Sequence, residues 1–294
     1  MGNIGSRTVA LGVLACILAA CQPQQGATPA ADPAPSPSPV DAGSATPSPS
    51  YTEEVEAYRA WVQEQVAQLQ IDVQAFAAAI RAGRIDDARR LYAGSRQGWE
   101  RIEPVAELFP DLDRRMDARA DDFKLAEADP EFSGWHRLEH AMFTLQTLEG
   151  MAPFAAQLVA DAAELQARLP DMDLPPSAVV GGAAELVEEV AAGKISGEEN
   201  RYAGTDLWDI QANMEGARRI VELFRARIAE RDAGLLAGIE EGFEEVDGIL
   251  AAYRSGDGWA HYSALNDRDR NSLRGVVNHL AEQLALLRGT LHLD

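Results

Sequence analysis

Cysteine is almost absent: there are two, Cys16 and Cys21, both near the start of the chain. Everything after them has no disulfide staple, no thiol nucleophile and no thiolate ligand, so a bound metal would have to rely on oxygen and imidazole. Runs of alternating apolar and polar residues are missing, which argues against a sheet-based fold. Missing too are a glycine-rich phosphate loop after a strand and any defensible Ser/His/Asp grouping. Positive charge is scarce, with 26 basic residues against 47 acidic and a formal net charge of −21. Of these only Arg7, Asp32 and Asp41 precede Tyr51, so the acidity belongs to the remainder. Such a chain repels nucleic acid and anionic lipid and draws cations.

What is present begins with "SRTVALGVLACILAACQ", one basic residue and an apolar run from Val9 to Ala20. The run reads as an export signal (residues 1–20), too short for a stable membrane span. Its "LAAC" ending resembles the lipobox of bacterial lipoproteins, which would make Cys21 a lipidated first mature residue. Gln22 is not the aspartate that commonly retains lipoproteins at the inner membrane, which favours an outer-membrane anchor facing the periplasm of a Gram-negative bacterium. Residues 21–50 are rich in Ala, Pro and Ser with few large apolar side chains, the composition of a disordered tether.

From Tyr51 to Asp294 apolar residues recur at spacings of three and four. Val55, Tyr58, Val62, Val66, Leu69, Val73, Phe76 and Ile80 predict one long helix over 53–82. Further helices are expected from Ile85 to Pro104, over 111–126, 131–148, 153–169, 179–192, 205–230, 233–254 and 271–291. The "DMDLPPS" segment at 171–177 cannot continue a helix and suits a hinge. The expected fold is all-α: two helical bundles, each of four-helix type, joined near residue 175.

Within the stretch "EFSGWHRLEH", His136, Glu139 and His140 share a helical face. His-x-x-Glu alone is commonly a surface pair, and one helix cannot complete a metal site. Other segments offer acids: Glu100 and Glu103 are three apart before Pro104, and Asp117 and Asp121 are four apart, predicted to share a face. Helical bundles hold iron or manganese with such inward-facing carboxylates and imidazoles. "ENRYAGTDLWDIQAN" adds Glu199, Asp206 and Asp209, which either line the same cleft or, for Thr205 and Asp206, cap a helix. His261 and His292 have no acidic partners at ligand spacing, and all three remaining histidines, His279 included, are expected to be surface or packing residues.

Four long motifs, "WERIEPVAELFPDLDRRMDARADDF", "DPEFSGWHRLEHAMF", "PPSAVVGGAAELVEEVAAGKISGEENRY" and "TDLWDIQANMEGA", together resemble the imelysin-like (peptidase M75) family of Efe-type periplasmic iron-uptake components, over essentially 51–294. The resemblance implies a two-bundle helical protein in which His136 and Glu139 help bind a metal together with Glu100, Glu103 and Asp117. His140, Asp121, Glu199, Asp206 and Asp209 are then neighbours of the site or line its cleft; the family more often has lysine at the position of His140. Longer members carry a copper-binding cupredoxin domain before this region, where this sequence has only the tether, so the short form is expected.

Three functions compete. The first is capture of iron, Fe(II) or Fe(III), with zinc or another divalent cation as alternative occupant, for an Efe-type inner-membrane permease and its haem peroxidase component. The second is a metallopeptidase, as the family name implies, although "HRLEH" places Arg137 where the Glu of His-Glu-x-x-His would act as base. The third is a binder of polysaccharide bridged by divalent cations.

Overall fold

The computed structural model describes residues 50–106 and 108–293; the expected export signal, Cys21 and nearly all of the tether lie outside them. The predicted first helix is α1 (Thr52–Arg81), and each of its eight apolar positions is buried. It is followed by α2 (Ile85–Arg101), a four-residue α3 (Glu103–Ala106) and α4 (Pro110–Met116). Next come α5 (Gly134–Glu139), which runs into a π-helical turn at His140–Thr144, and α6 (Ala152–Arg168). After a short turn at Leu169–Asp171 the second half holds α7 (Pro176–Ala192), α8 (Asp206–Arg231), α9 (Ala233–Ala251), α10 (Asp267–Ala285) and α11 (Leu287–Thr290). The fold is all-α, as expected, save for a two-residue hairpin pairing β1 (Arg254–Ser255) with β2 (Gly258–Trp259).

Helices α1, α2 and α6 pack together, as do α7 to α10, and α2 lies against α8. One continuous apolar core runs through both groups. Close approaches depend on glycine. A β-carbon on Gly98 would meet Leu69 of α1, and one on Gly216 of α8 would collide with the carbonyl of Arg101. Gly216 thereby sets α8 directly against the end of α2.

Those two facing helices bury polar residues. On α2 they include Arg96 and Glu100, at i and i+4; on α8 they are Asp206, Asp209 and Asn213, at spacings of three and four. All five have relative exposures of 0%. A helix whose apolar stripe is interrupted in this way does not stabilise a core through hydrophobic burial at that level; each polar group needs a partner in the facing helix.

One predicted helix is corrected. Of the span 111–126 only Pro110–Met116 is helical, and the chain then passes through short turns at Ala120–Asp122 and Ala126–Ala128. Asp117 and Asp121 therefore do not share a helical face. The reason is local. Gly134, at φ +69°, presses its α-carbon against the carbonyl of Met116, where any side chain would clash, and Ser133 Oγ donates to Arg115 O at 2.9 Å. The end of α4 is thereby fixed beside the start of α5, which brings Asp117 to His136.

Candidate metal centre

His136 is buried, and both its ring nitrogens face carboxylates. Nδ1 lies 2.9 Å from Glu139 Oε2, while Nε2 lies 3.5 Å from Asp117 Oδ1 and 3.5 Å from Glu199 Oε1. One donor atom from each of Asp117, His136 and Glu199 falls within 4.8 Å of the others. A cation about 2.1 Å from its ligands needs donors roughly 3 Å apart, so these three are close to ligating distance. Asp117 and Glu199 also line a solvent-open cleft of about 280 Å³, walled by Glu103, Asp113, Asp122 and Glu189, with Arg114 and Arg119 beside them. A cation has an acidic path to the buried imidazole.

Glu139 plays a different part. Its second oxygen, Oε1, accepts the backbone N–H of Tyr202 at 2.9 Å and of Ala203 at 2.8 Å. Both oxygens are thus engaged, one orienting the imidazole and one anchoring the loop that carries Glu199. A carboxylate on the far nitrogen of a histidine is a common way to fix the ring and leave the other nitrogen for a metal.

Glu100 and Glu103 have cations already. Lys194 Nζ, fully buried, donates to Glu100 Oε2 at 2.6 Å and to Glu103 Oε2 at 2.7 Å. Asn213 Nδ2 reaches Glu103 Oε2 at 3.0 Å. Arg96, also fully buried, is bonded to Asp117 and Glu100, and its Nη2 donates to Glu199 Oε1 at 2.8 Å. Neither cation was identified from sequence. The available signal was the spacing: Arg96 precedes Glu100 by four, a pattern that ordinarily marks an exposed pair.

Electrostatics follow from this crowding. Burial and Arg96 pull the pKa of His136 down, but bonds to Asp117, Glu139 and Glu199 outweigh them and leave it well above the usual histidine value. Burial pushes Glu199 up, and its bond to His136 with the charges of Lys194 and Arg96 more than reverses this, holding it down to about 2. Asp117 moves in the same direction, burial being overcome by Arg96 and His136. Burial raises Asp209 well above the carboxylate range, aided by Glu100, and raises Asp206 to about 6.

The match to the imelysin family (Peptidase M75) covers residues 54–287. This chain belongs to the imelysin family. Relatives include the iron uptake system component EfeO of Escherichia coli strain K12, 53% identical over 240 residues, which is 82% of this chain and 64% of that protein. The EfeO proteins of Shigella flexneri and of E. coli O1:K1 match to the same extent. The chain thus spans less than two thirds of the length of these relatives.

Within this imelysin chain the structure brings Glu100, Glu103, Asp117, His136 and Glu139 into one buried polar cluster, with Glu199 and Asp209 beside them. Asp206 does not cap α8. Its Oδ1 accepts the N–H groups of Glu199 at 3.1 Å and Asn200 at 3.2 Å, and Thr205, which precedes the helix, makes no side-chain cap bond. Asp121 stands outside the cluster, exposed and paired with Arg201. His140 is half-buried at the π turn, its ring 4.9 Å from that of Tyr202.

Proposed function

We propose that this chain is the metal-binding component of an Efe-type iron uptake system, binding iron at Asp117, His136 and Glu199 and releasing it to an inner-membrane permease. The observation that carries this is the convergence of Asp117, His136 and Glu199, the two carboxylates of which line an acidic, solvent-open cleft, in a chain whose relatives are named as iron uptake system components. Two oxygens and one imidazole suit iron in either oxidation state and also accept zinc. Three protein ligands leave an iron ion positions for water, which permits exchange and hence transfer. Glu139 orients His136, while Glu100 and Glu103 are held beside the site by Lys194.

In this proposal the protein does not turn over an organic substrate. Arg137, where a peptidase of the His-Glu-x-x-His type needs a carboxylate, donates to Glu127 O at 3.0 Å and lies over the rings of Phe132 and Phe154. His140 stays with Tyr202 rather than beside His136. Among the described residues no helix is long and apolar enough to cross a membrane. A periplasmic location with a lipid anchor at Cys21, in the outer membrane, and a haem peroxidase partner belong to the same proposal.

Anaerobic calorimetric titration with Fe(II) tests it. Asp117→Asn, His136→Ala and Glu199→Gln are each expected to weaken binding at least about tenfold, as loss of a direct ligand does. Wild-type affinity in His136→Ala would sink the proposed site.

A further inference from the structure

The two oxygen atoms nearest His136 Nε2 are already taken. Asp117 Oδ1 and Glu199 Oε1 each lie 3.5 Å from that nitrogen, and each accepts a hydrogen bond from the guanidinium of Arg96. Arg96 Nη1 itself stands 3.4 Å from His136 Nε2. Resting on the metal-binding reading above, we infer that Arg96 is the resident counter-ion of the metal-free site, displaced when the cation binds, and that this exchange lowers the affinity for every cation and so sets how strongly an ion must bind to enter.

The surroundings are built for the exchange. The remaining oxygens of the two acids are fixed by other donors: Asp117 Oδ2 accepts from Trp99 Nε1 at 2.9 Å, and Glu199 Oε2 from Arg119 at 3.2 Å. Both carboxylates therefore keep their places when Arg96 lets go. Arg96 in turn has somewhere to go. Its Nε and Asp209 Oδ1 are buried, 3.5 Å apart, and neither has a hydrogen-bond partner. Two unsatisfied buried groups facing each other at that distance are costly, and a small shift of the guanidinium closes the bond. Arg96 is also bonded to Glu100, and its central carbon lies 5.5 Å from the centre of the Trp135 ring, contacts that hold it independently of the two acids.

A cation enters by breaking two charge-assisted bonds between guanidinium and carboxylate, which are among the stronger contacts in a protein interior. Magnesium and calcium gain little from an imidazole and dehydrate at a cost, whereas iron and zinc bind nitrogen well. The cost of moving Arg96 is common to all of them, so it is a threshold that the stronger binders pass, set by a residue that need not touch the metal.

The test is Arg96→Met, which removes the charge while keeping an unbranched apolar stem, titrated with Mg²⁺ and Mn²⁺ beside the wild type. Expected is at least a tenfold gain in affinity for each ion, by a similar factor, because the bonds broken on entry are the same for both. A folded Arg96→Met protein that binds Mn²⁺ no more tightly than wild type overturns the inference. If that variant does not fold, the Nε–H resonance of Arg96 in the wild-type protein decides it: on adding Zn²⁺ it gains protection from exchange as it bonds to Asp209, and a resonance that Zn²⁺ leaves unchanged overturns the displacement. A wild-type protein that binds no metal at all defeats the proposed function instead, whereas metal binding with unaltered affinity in Arg96→Met defeats only the role of Arg96.

Discussion

His136 Nδ1 lies 2.9 Å from Glu139 Oε2, one helical turn along α5, and the same carboxylate accepts two backbone N–H groups from Tyr202 and Ala203 through its other oxygen. The carboxylate requires Nδ1 to carry a proton, which leaves Nε2 as the nitrogen to receive a metal. Glu139→Gln keeps an oxygen for the backbone donors but turns an NH₂ toward Nδ1, favouring the tautomer with Nε2 protonated. Metal affinity is expected to fall about ten- to a hundredfold with little change in melting temperature. Calorimetric titration alongside thermal unfolding checks this, and unchanged affinity would remove Glu139 from the positioning role.

His136 holds its proton tightly because three carboxylates bond to the ring, an effect that exceeds the burial and the Arg96 charge opposing it. A raised histidine pKa stabilises the folded metal-free protein below the ordinary histidine value, about 6.5. That contribution is lost as pH rises through the raised value. Metal binding must expel the same proton, so affinity is expected to increase with pH across neutrality, with about one proton released per ion at pH 7. Titrations in two buffers of different ionisation enthalpy measure the release. Enthalpies that do not depend on the buffer would show that His136 binds the metal without losing a proton.

Glu199 and Asp206 make opposite contributions to acid stability. Glu199, held down to about 2, stabilises the fold above its ordinary value of 4.5, and this is lost as pH falls through 2. Asp206, raised by burial from 3.8 to about 6, contributes stability below 3.8 that is lost as pH rises through 6. At neutral pH its charge is a burden, for Oδ2 is buried with no hydrogen-bond partner. Asp206→Asn keeps an acceptor for the N–H groups of Glu199 and Asn200 and removes the charge. Its stability relative to wild type should therefore improve by about 2 kcal/mol between pH 4 and pH 7.5. Urea unfolding at the two pH values checks the sign; a constant difference would mean that Asp206 titrates normally.

The long helices were legible because their apolar residues keep a period of three to four over many turns, as Val55 to Ile80 do in α1. The stretch after Met116 was not, since its ending depends on Gly134, eighteen residues further on, pressing against that carbonyl. In the site, His136, Glu139, Asp117, Glu100 and Glu103 stood out as residues that should meet. What spacing could not supply was charge balance. Four carboxylates brought together call for a cation, and sequence reasoning assigned that role to a metal alone. The structure places Arg96 and Lys194 among them, two fully buried side chains on segments whose pattern is that of ordinary surface charge. Burial of a basic residue is a tertiary property: Lys194 lies inside because the turn from Lys194 to Ser196 packs against α8.

That turn, and the loop through Gly204 that carries Glu199, is held from a distance by Tyr262. Its hydroxyl donates to Ile195 O at 2.7 Å and accepts from Arg270 Nε at 2.9 Å, while its backbone N–H bonds Gly204 O at 2.7 Å. Its ring lies where a side chain on Gly197, at φ +82°, would stand, and the neighbouring His261 ring does the same over Gly204, at φ +63°. The loop thus carries Glu199, the proposed ligand, and gives two N–H groups to Glu139, but its own placement depends on a residue some sixty positions later. Tyr262→Phe removes only the hydroxyl, so a loss of about 1 kcal/mol in stability is expected, with metal affinity falling a few-fold as Glu199 loses its fixed position. Tyr253→Phe is the control. Its hydroxyl donates to Asp269 at 2.6 Å, away from the loop, so a similar loss of stability should leave affinity unchanged. Equal affinities in the two variants, measured under the same conditions, would show that Tyr262 supports the fold without positioning the site.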